Sequence, residues 1–222
     1  LRGYNMSGRP EGIDNYKFAV LLDDIRAVIS AERNSRKVIL VGHDWGAALS
    51  WLFTGQSPDI VEKLIVLSVT HPGAIKKEFL PWNHPLAQLE ASAYATRFFA
   101  QGKGDNLTPQ DLAYWVLDPR AKSRYIEAFT KSSLASLMNY YKANYALSQV
   151  ALSLFDSSMK KVYSAPIKCP VLHLHGSEEH HALVSTMDLE KSWMESPGNL
   201  TVKVVPGVGH FIQHEVPDYL DN

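Results

Sequence analysis

The chain has 222 residues, of which 45% are hydrophobic and 20% are charged, and it carries a formal net charge of -1. This length and composition are typical of a soluble globular protein that can bury a sizeable core. The nearly balanced charge provides no basic stripe for phosphate backbones and no polybasic face for anionic lipid, so nucleic acid and membrane contacts are not expected.

The first part of the chain predicts a helix followed by a strand, a second helix and another strand. Residues 14–33 place apolar side chains at helical spacing, which indicates a surface helix with one buried face. The continuous apolar runs at residues 38–41 and 64–67 are typical of strands that are covered on both sides in a parallel sheet. A small apolar helix at residues 47–55 separates them, so these elements form a βαβ unit.

The middle of the chain changes character. Residues 76–161 have a helical pattern and are rich in aromatic side chains, which indicates an inserted helical cap. Strand patterns return at residues 171–174 and 201–205. We therefore expect an α/β core at residues 1–75 and 162–222, interrupted by the cap.

A short motif at the first predicted strand end carries a candidate nucleophile. Residues 42–46, Gly-His-Asp-Trp-Gly, lie between that strand and the following helix, where a small-x-nucleophile-x-small sequence forms a nucleophile elbow. Asp44 at its centre is ionised at neutral pH and needs no base to activate it. The structural alternative is that Asp44 caps the next helix and that the glycines serve a tight turn. The five residues alone favour neither interpretation.

A histidine and an acid follow Asp44 in the chain order of a hydrolase triad. His210 ends a glycine-rich loop after the last predicted strand. Glu179 lies just beyond Gly176, after the preceding strand, and is our predicted triad acid. Its neighbour Glu178 is the alternative, and either glutamate alone would suit a solvated surface loop. The nucleophile, acid and histidine together favour catalysis.

Several histidines raise the alternative of a metal site, because His-x-His on a strand directs two imidazoles to one face. Their spacing matches no standard zinc motif, so core packing and loop exposure explain them better. We predict neither a metal nor another cofactor. The histidines concerned are His173, His175, His180 and His181.

Three motifs support a family resemblance. Residues 1–7 read Leu-Arg-Gly-Tyr-Asn-Met-Ser, residues 42–46 form the motif described above, and His71 is followed by Pro72. Together they resemble soluble epoxide hydrolases of the α/β-hydrolase superfamily, over essentially the whole chain. The resemblance implies a mostly parallel, three-layer α/β-hydrolase fold with an inserted helical cap. It also implies that an epoxide and water react to a vicinal diol through an ester of Asp44, without a cofactor.

The resemblance further implies roles for three residues. Two cap tyrosines of the family hydrogen-bond the epoxide oxygen, and Tyr94 and Tyr141 lie in matching sequences, Ala-Tyr-Ala-Thr-Arg-Phe-Phe and Asn-Tyr-Tyr-Lys. Core packing is the ordinary role of such aromatic residues, and Tyr140 and Tyr145 are the nearest alternatives. The backbone N–H of Trp45 is expected to contribute to an oxyanion hole.

Comparison with the family pattern also predicts a truncated chain. Family members begin with several strands and a His-Gly-x-Pro loop, and no such motif occurs in this sequence. Residues 211–222 resemble the opening of a final helix. We therefore expect a fragment trimmed at both ends, with the N-terminal strands missing. The sequence has no signal-peptide pattern and no apolar run near the roughly 20 residues that span a bilayer, so we expect a cytoplasmic protein.

Two other functional classes compete with an epoxide hydrolase. Haloalkane and fluoroacetate dehalogenases use the same aspartyl ester chemistry on related folds, but a halide needs N–H donors where an epoxide oxygen needs acidic hydroxyls. A non-catalytic binding protein can retain the same fold, although the combination of Asp44, Glu179 and His210 argues against it. A serine esterase is disfavoured because residues 42–46 contain neither Ser nor Cys. The sequence indicates neither the particular epoxide nor the oligomeric state.

Overall fold

The computed structural model of this protein describes residues 1–32, 34–78, 90, 107–144, 163–181 and 185–220. The chain divides into two compact units. One combines Leu1–Asp24 with Ala93–Leu152, and the other combines Ile25–Ser92 with Ser153–Asn222. The second unit contains the β-sheet.

The strands of the second unit form a parallel sheet in the order β1-β2-β3-β4. Because β2 pairs directly with β3, the long chain between them leaves the sheet and returns to the adjacent position. The prediction of a parallel sheet is therefore confirmed. The strands are β1 (Val38–His43), β2 (Val61–Leu67), β3 (Val171–Gly176) and β4 (Leu200–Val205).

The helices follow the predicted order along the chain. Among the described residues, no helix has both the length and the apolar character that crossing a bilayer requires. Short 3-10 helices occupy Ile13–Tyr16, Lys191–Trp193 and Pro197–Asn199. The α-helices are α1 (Phe18–Glu32), α2 (Trp45–Gln56), α3 (Pro72–Glu78), α4 (Pro109–Leu112), α5 (Pro119–Lys131), α6 (Leu134–Asn144), α7 (Ser185–Glu190), α8 (Ile212–Glu215) and α9 (Pro217–Leu220).

Helix α2 is buried against the sheet along most of its length. Its small and apolar sequence permits this close packing, and the indole N–H of the fully buried Trp51 donates a hydrogen bond to the carbonyl of Val69 at 3.1 Å. Trp51 belongs to a buried apolar cluster between α2 and the sheet. This cluster holds α2, the helix that follows the predicted nucleophile, in place. Its buried members are Ala47, Trp51, Leu64, Val66, Ile167, Val171 and Met194.

A second apolar cluster lies at the carboxyl end of the sheet. It joins the last residues of β2, β3 and β4 to the loop after β4 and to α8, so apolar burial holds that loop against the strand ends. Its buried members are Leu67, Leu174, Val205, Val208 and Ile212.

The edge strand β1 differs from the sequence prediction. A strand covered on both sides was expected, but the side chains of Ile39 and Val41 are 54% and 60% exposed. These two residues share one face of the strand. Val28 of α1, one of the apolar residues at helical spacing in residues 14–33, is 65% exposed. The prediction of cover on both sides is therefore wrong for this face of β1. Within the described residues β1 pairs only with β2.

The first unit groups the start of the chain with helices of the middle segment. The hydroxyl of the buried Tyr140 on α6 donates to the carbonyl of Arg2 at 2.7 Å, and its ring packs edge-on against Tyr16. The Asn144 side chain donates to the carbonyl of Tyr16 and accepts from the N–H of Phe18. Residues 1–24 therefore pack with part of the predicted cap segment, and the three-segment division at residues 1–75, 76–161 and 162–222 stays a prediction.

Candidate active site

Because the strands are parallel, their carboxyl ends lie at one edge of the sheet. The predicted triad residues lie at this edge. Asp44 follows β1, Glu179 follows β3 and His210 follows β4. Ligand and catalytic sites of open α/β sheets form outside the carboxyl ends of the strands. The topology therefore gathers residues that are distant in the sequence.

Asp44 occupies a strained turn between β1 and α2. Its backbone has φ 54° and ψ -125°, a conformation that residues with a side chain rarely adopt. Gly42 permits the turn, because a Cβ at this position would lie 2.5 Å from the carbonyl oxygen of Gly46. The Asp44 carboxylate accepts no N-cap hydrogen bond from α2, so the helix-capping alternative lacks its defining contact.

The imidazole of His210 bridges two carboxylates. Its Nε2 lies 3.1 Å from Asp44 Oδ2, and its Nδ1 is hydrogen-bonded to Glu179 Oε2. The side chain of Glu179 is 0% exposed and that of His210 is 10% exposed, whereas that of Asp44 is 35% exposed. The chain of hydrogen bonds thus runs from the interior to a carboxylate that remains accessible.

Of the two candidate acids, the structure brings Glu179 and not Glu178 to His210. Glu178 is exposed, and its carboxylate accepts a hydrogen bond from the Ser177 hydroxyl at 3.3 Å. The end of β3 and the loop after β4 approach each other closely at Gly176, where a Cβ would lie 2.2 Å from the carbonyl oxygen of Val208. A glycine at that strand end is therefore needed for the approach of Glu179 to the histidine loop.

The mutual contacts shift the proton affinities of all three groups. Burial alone would raise the pKa of Asp44, but the hydrogen bond and positive charge of His210 lower that pKa to about 2. Burial alone would lower the pKa of His210, but the hydrogen bonds and charges of Asp44 and Glu179 raise it to about 10. Burial opposes ionisation of Glu179, yet hydrogen bonds from His181 and His210 hold its pKa well below the usual range. At neutral pH the resting triad therefore holds an imidazolium between two carboxylates.

Two side chains fasten the backbone of His210. His43 Nε2 donates to the carbonyl of His210 at 2.8 Å, and the hydroxyl of Ser68 donates to the same oxygen at 2.6 Å. The Gln213 amide donates to His43 Nδ1 at 3.2 Å, which leaves the His43 proton on Nε2. Burial lowers the pKa of His43, which favours this neutral form. Ser68 holds its position with a positive φ of 68°.

Glu215 on α8 fastens the same loop from its other side. Its carboxylate accepts hydrogen bonds from the N–H groups of Gly209 at 2.8 Å and Phe211 at 3.1 Å, the two residues that flank His210. The sequence analysis missed Ser68, Gln213 and Glu215. Ser68 acts on the backbone of a loop that is distant in the sequence, and Gln213 acts through the side chain of His43. The one available signal was the closeness of Gln213 and Glu215 to His210 in the sequence.

The remaining predicted residues fall in different parts of the structure. The backbone N–H of Trp45 contributes to the lowered pKa of the Asp44 carboxylate. Tyr141 lies on α6 in the first unit and is half-buried. Tyr94 and the alternative Tyr145 lie outside the described residues. The other alternative, Tyr140, is fully buried, and its hydroxyl is used within the first unit.

The histidines considered as metal ligands divide into two groups. His173 and His175 are fully buried in β3, and His173 Nδ1 pairs with the buried Glu190 at 3.0 Å. In the part of the chain that is described, Glu179, His181 and His210 bring one potential ligand atom each within 4.8 Å of one another. Zinc accepts two imidazoles and a carboxylate. Hydrogen bonds among these three side chains already engage both oxygens of the carboxylate and one ring nitrogen of each histidine, so the group is satisfied without an ion.

Comparison with known proteins identifies similar sequences. Residues 1–217 match a protein family described as alpha/beta hydrolase fold. The AB hydrolase superfamily protein YfhM of Bacillus subtilis (strain 168) is 33% identical over 162 residues, which cover 64% of this chain and 53% of that protein. Epoxide hydrolase 1 of Caenorhabditis elegans is 25% identical over 246 residues, which cover 99% of this chain and 54% of that protein. The chain spans about half the length of these two relatives.

A similar solved structure comes from Bacillus megaterium. It is an epoxide hydrolase in complex with an inhibitor, with a TM-score of 0.81 and 25% sequence identity. The match covers 100% of this chain and 79% of that chain. The resemblance predicted from the three sequence motifs is confirmed by these similarities.

Proposed function

Because the chain belongs to the α/β-hydrolase fold family, we propose that the protein is an epoxide hydrolase that forms a vicinal diol through an ester of Asp44. One observation carries this proposal: the residue at the nucleophile elbow is a carboxylate, and it is hydrogen-bonded through His210 to a buried acid. The names of the relatives add support for the substrate class. The reactants are a small-molecule epoxide and water.

In the proposed first step, an oxygen of Asp44 attacks one carbon of the epoxide and the ring C–O bond breaks. The low pKa of Asp44, about 2, keeps this nucleophile ionised at neutral pH. The electron pair of the broken bond passes to the ring oxygen, and we assign Tyr94 and Tyr141 as the donors that protonate or hydrogen-bond it. Acid assistance of this kind typically contributes about 10²–10⁴ in rate.

Ester formation then changes the charge around His210. The Asp44 carboxylate is one of the two charges that raise the pKa of His210, and an ester is neutral. The pKa of His210 therefore falls when the substrate is attached, which favours loss of a proton from the imidazolium. The reaction itself thus prepares the neutral base for the second step.

In the proposed second step, His210 Nε2 accepts a proton from water as the water oxygen attacks the ester carbonyl carbon. We assign the N–H of Trp45, which contributes to the low pKa of the Asp44 carboxylate, as a donor to the oxyanion of the tetrahedral intermediate. Glu179 stabilises the imidazolium that forms. The intermediate then re-forms the carbonyl and breaks its C–O bond to the substrate. The leaving oxygen takes the second proton of the attacking water, so the diol departs and the Asp44 carboxylate is restored.

The proposal is tested by intact-mass spectrometry and product analysis on the full-length protein with styrene oxide. We expect diol formation by the wild type, no covalent adduct with Asp44→Ala, and an accumulated Asp44 adduct with His210→Gln. A parallel assay with a short bromoalkane addresses the dehalogenase alternative. Bromide release that exceeds diol formation would assign the protein to the dehalogenases, and no reaction with either substrate would favour a binding protein.

A further inference from the structure

We propose that His181 is a positioning residue of the triad, which orients the Glu179 carboxylate so that this carboxylate can hold His210. The inference rests on the proposed hydrolysis of an Asp44 ester. From the sequence, core packing or loop exposure explained His181 together with three other histidines, and the metal alternative gave it a different role. The contacts of the described residues carry a more specific assignment.

The two oxygens of Glu179 have separate partners. Oε1 accepts from the backbone N–H of His181 at 2.6 Å and pairs with its Nδ1 at 2.9 Å, while Oε2 is hydrogen-bonded to His210 Nδ1. A carboxylate only accepts, so both imidazoles donate from Nδ1. Rotation of the carboxylate away from His210 would break the contacts on both oxygens at once. His181 therefore fixes the direction in which Oε2 points.

Burial makes this contact hard to replace. The side chain of Glu179 is 0% exposed, whereas that of His181 is 32% exposed. His181 thus lies on the solvent side of the acid, and its ring packs edge-on against His210 with the ring centroids 5.0 Å apart. If the imidazole of His181 is removed, the buried Glu179 carboxylate loses a hydrogen-bond donor. Water does not reach this carboxylate to replace the lost donor.

Charge adds to the geometric argument. The hydrogen bonds from His181 are among the contacts that keep the pKa of Glu179 low despite burial. Without the side-chain donor, the carboxylate gains proton affinity and rotational freedom. Both changes weaken its hold on the Nδ1 proton of His210, which the ester-hydrolysis step needs. The alkylation step requires only the ionised Asp44 and is not expected to depend on His181.

A pair of substitutions separates this role from general packing. Asparagine places its side-chain N–H close to the position of the histidine Nδ1–H, so His181→Asn keeps the donor, whereas His181→Leu removes it. The neighbouring His180 is exposed, and His180→Leu is the matched control. In the full-length protein, single-turnover mass spectrometry with styrene oxide measures the formation and the decay of the Asp44 adduct separately.

We expect His181→Leu to leave adduct formation unchanged and to slow adduct decay about tenfold, the effect of losing one hydrogen bond to a charged group. His181→Asn and His180→Leu should decay at close to the wild-type rate. Unchanged decay in His181→Leu, or equal slowing in His181→Asn and His181→Leu, would overturn the inference. Equal slowing of both steps would indicate a purely structural role.

A second measurement keeps the inference separate from the proposed function. Proton NMR of the His210 Nδ1–H reports its hydrogen bond to Glu179 without any substrate. We expect a downfield resonance in the wild type and in His181→Asn, and a weaker hydrogen bond with faster exchange in His181→Leu. If no epoxide alkylates the wild type, the proposed function fails while this comparison still decides the role of His181. An identical resonance in all three proteins would refute the positioning role.

Discussion

His210 lies between two carboxylates, and its charge depends on both of them. The pKa of about 10 results from Asp44 and Glu179 together, acting against burial. We expect Asp44→Asn and Glu179→Gln each to lower the pKa of His210, because each change removes one negative charge. An NMR titration of the His210 ring protons measures this directly. Glu178→Gln is the matched control, and a shift as large in this variant would mean that the acid has been misassigned.

The same shifts predict how the triad contributes to stability as pH changes. Folding raises the pKa of His210 from an ordinary value near 6.5, so its contribution is complete below about pH 6.5 and is lost as pH rises through about 10. We therefore expect the difference in unfolding free energy between wild type and His210→Gln to shrink from pH 6 to pH 11. Urea titrations across this range measure it, and a constant difference would contradict the raised pKa. For Asp44 the sign is opposite, since its contribution disappears as pH falls through about 2.

The sequence was sufficient to predict some residues of the site and not others. Asp44, Glu179 and His210 were predictable because each follows a recognisable strand, and the structure brings these three side chains together. Their catalytic roles stay predictions. Ser68 and Glu215 were not predictable, because they hold backbone atoms of a loop whose path depends on the assembled sheet. Hydrogen bonds from a side chain to backbone atoms of a loop leave no pattern in the sequence.

At the scale of elements, the site depends on the contact between the loop after β3 and the loop after β4. The N–H groups of Ser177 and Glu178 donate to the carbonyls of Val205 and Val208, both at 2.9 Å. These hydrogen bonds fix the position of Glu179 relative to His210. The strands themselves were well predicted from apolar runs, and the loops were not, since their conformation follows from these contacts between neighbouring strand ends.

A substitution at Gly176 tests this contact. The added Cβ of Gly176→Ala would collide with the carbonyl of Val208, so we expect a loss of about 1–3 kcal/mol in stability and slower ester hydrolysis. Denaturant unfolding and adduct decay measure the two effects. Gly198→Ala is the control, because a Cβ at that glycine meets nothing within 4 Å. Equal unfolding free energies of the two variants would show that the loops after β3 and β4 can move apart without loss of stability.

At the scale of the whole molecule, the comparisons confirm the predicted α/β-hydrolase fold. Alternating and continuous apolar patterns were sufficient for the sheet and its order of elements. They did not predict that residues 1–24 group with the middle segment, because that grouping depends on hydrogen bonds such as those of Tyr140 and Asn144. Long-range polar contacts between segments have no periodicity.

The exposed face of β1 has a consequence for the association of this polypeptide in solution. Ile39 and Val41 are apolar and lie on an edge strand, an arrangement that promotes strand pairing between molecules. We expect this polypeptide to self-associate as its concentration increases, and Val41→Lys to reduce the association. Analytical ultracentrifugation measures both. The control Lys203→Arg preserves charge on β4, and association that is equally strong in all three proteins would exclude β1 as the contact.

The strained backbone at Asp44 means that thermal stability and activity compete at this position. A φ of 54° with ψ of -125° suits glycine, yet the proposed chemistry requires a carboxylate there. Asp44→Gly and Asp44→Ala both remove the carboxylate, but only glycine relieves the strain. We therefore expect Asp44→Gly to be more stable than Asp44→Ala by about 1 kcal/mol, after the greater flexibility of unfolded glycine is subtracted. Calorimetry of the two variants measures this difference, and a lower melting temperature for the glycine variant would mean that the turn stores no strain.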